Sequence, residues 1–257
     1  MTKACCLATL LCLLALAGCA ETDPYKRAQP APTGDLSASQ AIDAYNRRWP
    51  KQFKCVQTVT LDFGPVTRTL VGYLIVQQPG QFRLQGMTEQ GLKIFDIIGK
   101  GPETTTVFAA DEFDARTLAN IARDIRRVYL NQAADVVPMV QTTLGEFGWV
   151  VTGKAQVDQA AGNTQVSLRN QDDTLRLSLV GQPARLDRAV VLREGNGLYR
   201  LDQYEWQAQA GRQQPTVIVL RERGVESRGP AYKLTIQVTQ FTLRDKPWPE
   251  KTFEAGP

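Results

Sequence analysis

The most informative absence in this sequence is that of histidine, of which the 257 residues contain none. Ser-His-Asp and Cys-His catalysis are therefore excluded, as are histidine-ligated zinc, copper and non-haem iron sites. No spacing of carboxylates, Ser-Lys pairs or thiols assembles another reactive centre. The densest acidic cluster, Asp111, Glu112 and Asp114, precedes a predicted helix, where carboxylates favour the positive end of the helix dipole. We therefore expect no catalytic residue, no metal site and no cofactor.

An excess of charge of one sign is also lacking, since the net charge is only +4. Arg126-Arg127 is a pair rather than a patch, and no basic cluster is interleaved with aromatic residues. The chain therefore carries no electrostatic footprint for nucleic acid. Hydrophobic residues make up 43% of the chain and charged residues 22%, close to the globular average, which argues against wholesale disorder.

Long hydrophobic runs are limited to Ala4 to Ala17, which follows Lys3. This run is shorter than the ~20 apolar residues that span a bilayer, and it predicts a secretory signal over residues 1–18. The sequence Leu16-Ala17-Gly18-Cys19 then resembles the lipobox of bacterial lipoproteins, whose signal is cut before the cysteine and whose thiol is diacylated. The resemblance implies that Cys19 is lipidated and that the protein is held at a membrane. The alternative is a soluble secreted protein with a chance cysteine.

The residues after Cys19 bear on the membrane that it enters. Ala20 and Glu21 follow it, so the aspartate that retains many enterobacterial lipoproteins in the inner membrane is absent. We expect a lipid-anchored protein of the cell envelope, in the outer membrane and facing the periplasm.

Cysteine is scarce in what remains of the chain. Cys5, Cys6 and Cys12 leave with the signal and Cys19 carries lipid, so Cys55 is left without a partner for an intramolecular disulfide. Cys55 falls on the apolar face of a predicted strand, and we expect it to be a buried free thiol rather than a nucleophile.

Residues 19–36 are polar, contain Pro24, Pro30 and Pro32, and lack apolar periodicity. They predict a flexible tether, followed by a single β-rich domain over residues 37–257. Ser37 or Ser39 is expected to cap a helix that runs through about Trp49.

The stretch from Phe53 to Ile98 predicts four successive antiparallel strands. In the first, apolar residues such as Val59 and Leu61 alternate with polar ones, a period of two that separates the faces of a strand. The second, from Val66 to Gln78, is apolar on both faces and predicts a central strand. Gly64-Pro65, Pro79-Gly80 and Glu89-Gln90-Gly91 supply the turns.

A second helix is predicted from a cap at Asp111 or Asp114 to about Leu130, after a fifth strand. Leu118, Ile121 and Ile125 form its apolar stripe, with arginines elsewhere around the wheel. Two interpretations stay open: a helix on the membrane surface, or a lid on the concave side of the sheet, which we favour. Asn131 to Glu146 is ambiguous. Seven further strands are expected over Val150–Val157, Thr164–Arg169, Thr174–Val180, Arg185–Leu192, Leu198–Trp206, Thr216–Arg221 and Tyr232–Leu243.

This order of elements resembles that of the periplasmic lipoprotein carriers of the LolA and LolB type. The likeness is carried by Phe82-Arg83-Leu84 followed by Gly91-Leu92-Lys93-Ile94-Phe95-Asp96, by the helical insertion after strand five, and by the ending from Leu234 to Phe253. The resemblance implies a mainly β fold, a single antiparallel unclosed β-barrel whose hydrophobic concavity is covered by a few α-helices and receives acyl chains. The family's membrane-bound receptor also exposes an apolar residue between strands three and four, where this chain offers only Met87.

The expected cavity is lined by apolar side chains of the first strands and the second helix: Phe53, Val59, Leu61, Leu70, Leu74, Phe82, Leu84, Leu118, Ile121 and Ile125. Arg123 or Arg126 is expected to meet an anionic headgroup. The favoured function is binding of acyl chains or lipoproteins in envelope transport or assembly, without covalent chemistry. The alternative is an envelope scaffold or sensor whose concavity is filled by its own side chains. A hydrolase is the third and weakest alternative.

Overall fold

The structure is a computed structural model that describes residues 23–63, 65–130, 155–160, 163–170, 173–209, 211–222 and 232–255. The helices of this part of the chain are α1 (Ala38–Asn46), α2 (Ala115–Tyr129) and a short 3₁₀ helix (Glu250–Phe253). The strands are β1 (Gln52–Phe63), β2 (Val66–Gln77), β3 (Gln81–Met87), β4 (Lys93–Lys100), β5 (Glu103–Ala109), β6 (Ala155–Ala160), β7 (Asn163–Asn170), β8 (Asp173–Val180), β9 (Arg185–Arg193), β10 (Asn196–Gln209), β11 (Arg212–Glu222) and β12 (Tyr232–Leu243). The predicted signal, Cys19, and the segment Asn131 to Glu146 lie outside the described residues.

The described strands form one 12-stranded sheet in the order β5-β4-β3-β2-β1-β12-β11-β10-β9-β8-β7-β6. Every neighbouring pair is antiparallel, and β1 pairs with β12 so that the two ends of the domain meet at the middle of the sheet. The order starts at β5 and ends at β6 without closing. The predicted mainly β, unclosed antiparallel sheet with a few helices is confirmed.

The two faces of the sheet follow from the alternation of side chains. On β3, Phe82 and Leu84 are buried on the concave face, which carries the core, whereas Arg83 lies on the convex face. The expectation that β2 is apolar-covered on both faces is wrong at Tyr73, whose side chain is 44% exposed on the convex side. β4 is instead the strand that is buried on both faces, because Phe253 of the chain's C-terminal end packs there.

Helix α1 begins at a capping box, in which the hydroxyl of Ser37 accepts from the backbone N–H of Gln40 and the Gln40 side chain accepts from the N–H of Ser37. It ends at Asn46, earlier than predicted. Arg48 and Trp49 lie beyond it and cap the C-terminus of α2: the Trp49 indole donates to the carbonyl of Val128 at 2.7 Å. Arg48 donates to the carbonyls of Arg127 and Leu130, so backbone acceptors that have no partner within the helix are satisfied.

Helix α2 begins at Asp114, whose carboxylate accepts from the backbone N–H of Thr117 at 2.7 Å. Its apolar stripe, which includes Leu118 and Ile125, packs on the concave face of the sheet and is buried. The helix therefore has the position of the predicted lid and does not offer its apolar side to a membrane.

The predicted flexible tether over residues 19–36 differs from the structure, because residues 23–34 are docked on the domain. We call residues 23–34 the N-terminal strap. Its Arg27 pairs with Asp187 and Asp202 at 2.9 and 2.7 Å on the convex face. The carbonyl of Ala31 accepts from the N–H of Gly181 at 2.8 Å. The polar composition of this segment predicted that it is undocked. The residues that bind the strap are distant in sequence, so composition could not reveal them.

Candidate functional site

One end of the concavity is closed by stacked aromatic side chains. Phe53 of β1 lies 5.6 Å from the ring of Trp49 and 5.0 Å from that of Phe241, and Tyr129 of α2 lies 4.9 Å from Trp49. Trp49, Phe53 and Tyr129 are each at most 2% exposed. We call this end of the sheet the closed end, since these buried, stacked rings pack between α2 and the sheet.

Towards the other end of the same strands the packing opens into an apolar cavity. Its empty volume, counted with the part that is open to solvent, is about 480 Å³. The walls come from the centre of the sheet and from α2: Gln57, Val59, Leu61, Leu70, Val71, Gly72, Leu84, Gly86, Phe95, Ile121, Asp124, Ile125, Leu234 and Ile236. We call this the mouth end.

The cavity contains most but not all of the expected residues. Val59, Leu61, Leu70, Leu84, Ile121 and Ile125 are in its wall. The other expected residues, Phe53, Leu74, Phe82 and Leu118, are buried in the closed core and do not line it. Along both β1 and β2 the exposure of the concave-face side chains therefore rises from the closed end to the mouth end, where Val59, Leu61 and Leu70 are only half-buried.

A glycine shapes the inner wall of the cavity. The aromatic ring of Phe95 on β4 lies directly over Gly86 on β3, where a Cβ atom would come within 2.3 Å of the ring. A side chain at Gly86 would push Phe95 out of its place.

Gln57 also faces the cavity, and its side-chain Nε2 has no hydrogen-bond partner among the described residues, whereas its Oε1 accepts from the Tyr129 hydroxyl.

A polar cluster connects α2 to the sheet beside the apolar wall. Arg123 and Arg127 both donate to Glu222 of β11 at 2.8 Å. The hydroxyl of Tyr232 donates to Asp124 at 2.6 Å, and Asp124 is part of the cavity wall. Because two arginines face two carboxylates, the cluster pairs its own charges. We call these five residues the α2 latch.

Burial perturbs the titration of the latch. Loss of solvent raises the pKa of the Asp124 carboxyl to about 6, although the Tyr232 hydroxyl and the guanidinium groups of Arg123 and Arg127 act in the opposite direction. The pKa of Tyr232 is raised as well, first by burial and then by the charge of Asp124. The latch is therefore a site where a change of pH near neutrality changes charge inside the protein.

The expected headgroup arginines are placed differently by the structure. Arg123 lies in the latch, next to the cavity. Arg126 does not: its guanidinium donates to the carbonyls of Gly101 and Glu103 at 2.9 and 2.7 Å and lies over the ring of Phe82. Arg126 is thus directed by the rotation of α2 to the β4–β5 turn and not to the cavity wall. Arg127, which the sequence did not single out, takes the place beside Arg123.

The loop between β3 and β4 exposes Leu92, an apolar residue that was predicted to lie in the fourth strand. Leu92 is 69% exposed, whereas Met87, the expected tip, is half-buried at the end of β3. Nearby on β5, Phe108 is 41% exposed and lies 5.2 Å below the amino group of Lys93. Strand β4 begins one residue after Leu92, so the alternation that suggested a strand position extends beyond the actual strand.

The described part of the chain contains no group of three or more cysteine, aspartate or glutamate side chains arranged to hold a metal ion. None of the helices within it has the length and apolar character needed to cross a bilayer.

No protein-family model and no curated protein matches this chain. Among solved structures, it is similar to a LolA superfamily protein from Nitrosomonas europaea, at 12% identity and a TM-score of 0.54, over 86% of this chain and 98% of that one. An outer-membrane lipoprotein-sorting protein domain from Vibrio parahaemolyticus matches at 8% identity and a TM-score of 0.47, over 84% and 94%. A protein of the DUF1329 family from Desulfovibrio piger matches at 11% and 0.49, over 84% and 95%. The similarity is one of fold: the chain forms an unclosed β-sheet like that of the LolA superfamily protein.

Proposed function

We propose that this protein is a lipid-anchored protein of the cell envelope that binds acyl chains, of lipids or of lipoproteins, in the cavity beneath α2. The observation that carries the proposal is the apolar cavity at the mouth end, with half-buried aliphatic side chains in its wall. The fold of the LolA superfamily neighbour supports it. The activity needs no catalytic residue, cofactor or metal, and the acyl chain is bound and released unchanged.

The energetics favour a displaceable α2. Burying one large aliphatic side chain gains about 1.5–3 kcal/mol. An acyl chain recovers about 0.8 kcal/mol for each buried methylene, so roughly ten methylenes offset several side chains of the helix. The C-terminus of α2 is held by Arg48 and Trp49, whereas Ile121 lies at the cavity. We infer that the N-terminal half of α2 moves and its C-terminal end stays.

A competing function is that of an envelope scaffold with a self-filled core. The burial of Phe53, Leu74, Phe82 and Leu118 favours it, because these side chains fill the part of the concavity that an acyl chain would otherwise occupy. The two functions differ in whether the folded domain binds a hydrophobic ligand.

A fluorescent fatty acid titrated into the unlipidated Cys19→Ser protein separates them. The acyl-binding function predicts saturable binding, weakened at least tenfold by Leu70→Arg, because an unpaired guanidinium in the wall costs more than ~1.4 kcal/mol. Val66→Arg is the matched control: Val66 lies on the same strand but is 49% exposed and outside the wall. Absence of saturable binding to the folded protein supports the scaffold.

The anchor at Cys19 is tested separately. Cys19→Ser should give an unprocessed or soluble product, whereas the natural sequence should fractionate with membranes and carry lipid detectable by mass spectrometry. A Cys19→Ser protein that still behaves as a processed, detergent-extracted membrane protein would show that this cysteine is not the anchor.

We also propose that Leu92 touches the membrane when cargo passes to it. Its support is the 69% exposure of this side chain on the loop where the resembling receptor carries its apolar tip. Leu92→Ser should slow transfer of a lipoprotein to vesicles and leave fatty-acid binding unchanged. If the natural protein and Leu92→Ser transfer the lipoprotein at the same rate, Leu92 has no part in transfer.

A further inference from the structure

The N-terminal strap has a built docking site on the convex face of the sheet. The side chain of Asp23 is only 1% exposed and accepts from Arg221, from Lys233 at 3.1 Å and from the Tyr204 hydroxyl at 2.5 Å. Burial by itself would raise the pKa of Asp23, but these hydrogen bonds outweigh it and hold the pKa well below its usual range. Asp23 is therefore a fixed point of the chain.

An unpaired position in β10, at Glu205, binds the next residues of the strap. Tyr204 pairs with Val217 and Trp206 with Pro215 of β11 in one continuous register, but Glu205 between them is unpaired and has a positive φ of 52°. Its freed backbone N–H donates to the carbonyl of Lys26 at 2.9 Å, and its carboxylate accepts from the N–H of Lys26 at 2.7 Å. The backbone of Glu205 thus forms a hydrogen bond to the strap in place of one to β11.

The fixed point lies at the mouth end of the sheet. Lys233, which contacts Asp23, precedes Leu234 of the cavity wall, and the two side chains point to opposite faces of β12. Leu234 pairs with Leu61, close to the turn between β1 and β2. The β3–β4 loop with the exposed Leu92 extends from the same end, since β3 runs from Gln81, which pairs with Gln77 of β2, towards the mouth end.

The anchor predicted at Cys19 is only four residues before Asp23. Four residues span at most about 14 Å. A tether that stayed free up to Ser37 would instead reach about 60 Å by the same measure. Docking of the strap therefore reduces the maximum distance between the lipid and the mouth end severalfold.

We propose that the docked strap holds the mouth end of the sheet against the phospholipid leaflet that carries the Cys19 lipid, so that the cavity opens towards the headgroups. The proposal rests on the proposed function, because it requires lipid at Cys19. The partner of this surface is a phospholipid bilayer, and the mouth end offers it the exposed Leu92, Val66 and Arg68. A ligand then moves between leaflet and cavity without crossing the periplasm.

The experiment uses the lipidated full-length protein in vesicles of phosphatidylethanolamine and phosphatidylglycerol that contain a nitroxide-labelled lipid. A fluorophore is attached at Val66→Cys or Leu92→Cys at the mouth end, or at Lys51→Cys at the closed end; Cys55 is buried and stays unlabelled. We expect severalfold stronger quenching at the mouth-end positions. Equal quenching at all three positions, or stronger quenching at Lys51→Cys, overturns the proposal.

Two variants test the strap itself. The charge swap Asp23→Lys with Arg27→Glu should release the strap and remove most of the difference in quenching, while binding to vesicles persists. The matched control is Asp43→Lys with Arg47→Glu, which swaps an exposed ion pair of α1 whose side chains are 61% and 76% exposed, and it should keep the difference. A released strap that leaves the difference intact contradicts the proposal.

A flexible insertion avoids any risk of unfolding. About 15 Gly-Ser residues ahead of Asp23 leave the docked contacts unchanged and add roughly 20 Å of reach. The difference in quenching should fall as in the charge swap, and an unchanged difference overturns the proposal. Failure of the natural protein to bind vesicles contradicts the lipid anchor instead, and loss of fatty-acid binding contradicts the cavity function, so the three conclusions are separable.

Discussion

At the scale of single residues, Asp124 couples the latch to pH. Its pKa in the folded protein is about 6, above the ~3.9 of an unfolded aspartate, because burial penalises the carboxylate. The folded state therefore binds the proton more tightly. The stabilisation from protonated Asp124 is present below about pH 4 and is lost as the pH rises to about 6.

We expect Asp124→Asn, which cannot titrate, to remove this dependence. The stability of the natural protein relative to the variant should fall by about 1–3 kcal/mol from pH 4 to pH 7, measured by urea unfolding. Asp114→Asn is the control with the opposite sign. The hydrogen bond from the Thr117 backbone lowers the pKa of Asp114, so its stabilisation is lost as the pH falls. A relative stability of Asp124→Asn that is constant with pH would contradict the assignment.

Cys55 gives a second test at this scale. It is 3% exposed on the concave face, as predicted, and burial raises the pKa of its thiol to about 12. Since only the thiolate reacts, labelling by an aromatic disulfide reagent should be slow in the native protein and become fast in denaturant. Fast labelling without denaturant would place the thiol at the surface and shift the two faces of β1 by one residue.

At the scale of elements, α2 combines a fixed part with a part at the cavity. Ile125 is 4% exposed and packs on the sheet, whereas Ile121, one turn earlier, is half-buried; both line the cavity. We expect Ile125→Ala to lower the free energy of unfolding by about 2–4 kcal/mol and Ile121→Ala by less. A chemical denaturation series measures both.

The same pair separates stability from binding. If the N-terminal half of α2 is displaced by the ligand, Ile121→Ala should change fatty-acid affinity more than its small effect on stability would suggest. Matching losses of stability and affinity in both variants would indicate that α2 is an ordinary part of a closed core.

At the scale of the whole molecule, the pairing of β1 with β12 makes the middle of the sheet the most protected part. Both strands have hydrogen-bonded neighbours on each side, whereas β5 is at one end of the order and its side chains are mostly exposed. Hydrogen exchange should be slowest for the amides of β1 and β12 and much faster for those of β5. Slow exchange in β5 would indicate that another segment covers that end.

Much of this architecture was predictable because its causes are local. The alternation of Val59 and Leu61 with polar neighbours places β1, the carboxylate of Asp114 begins α2, and the lack of histidine excludes whole classes of chemistry. The loop tip at Leu92 was missed because alternation does not show where a strand begins. Such patterns act within a few residues, so a sequence displays them directly.

By itself, the sequence determined the strands, the helices and the apolar face that they share. Only the tertiary structure decided which part of that face is cavity, which arginine of α2 reaches Glu222, and where the strap is bound. Asp23 and Arg221 are separated by 198 positions, and no local pattern links them. Their pairing depends on how the assembled strands β11 and β12 place Arg221 and Lys233 next to the strap, and that placement is set by the packing of all the strands together.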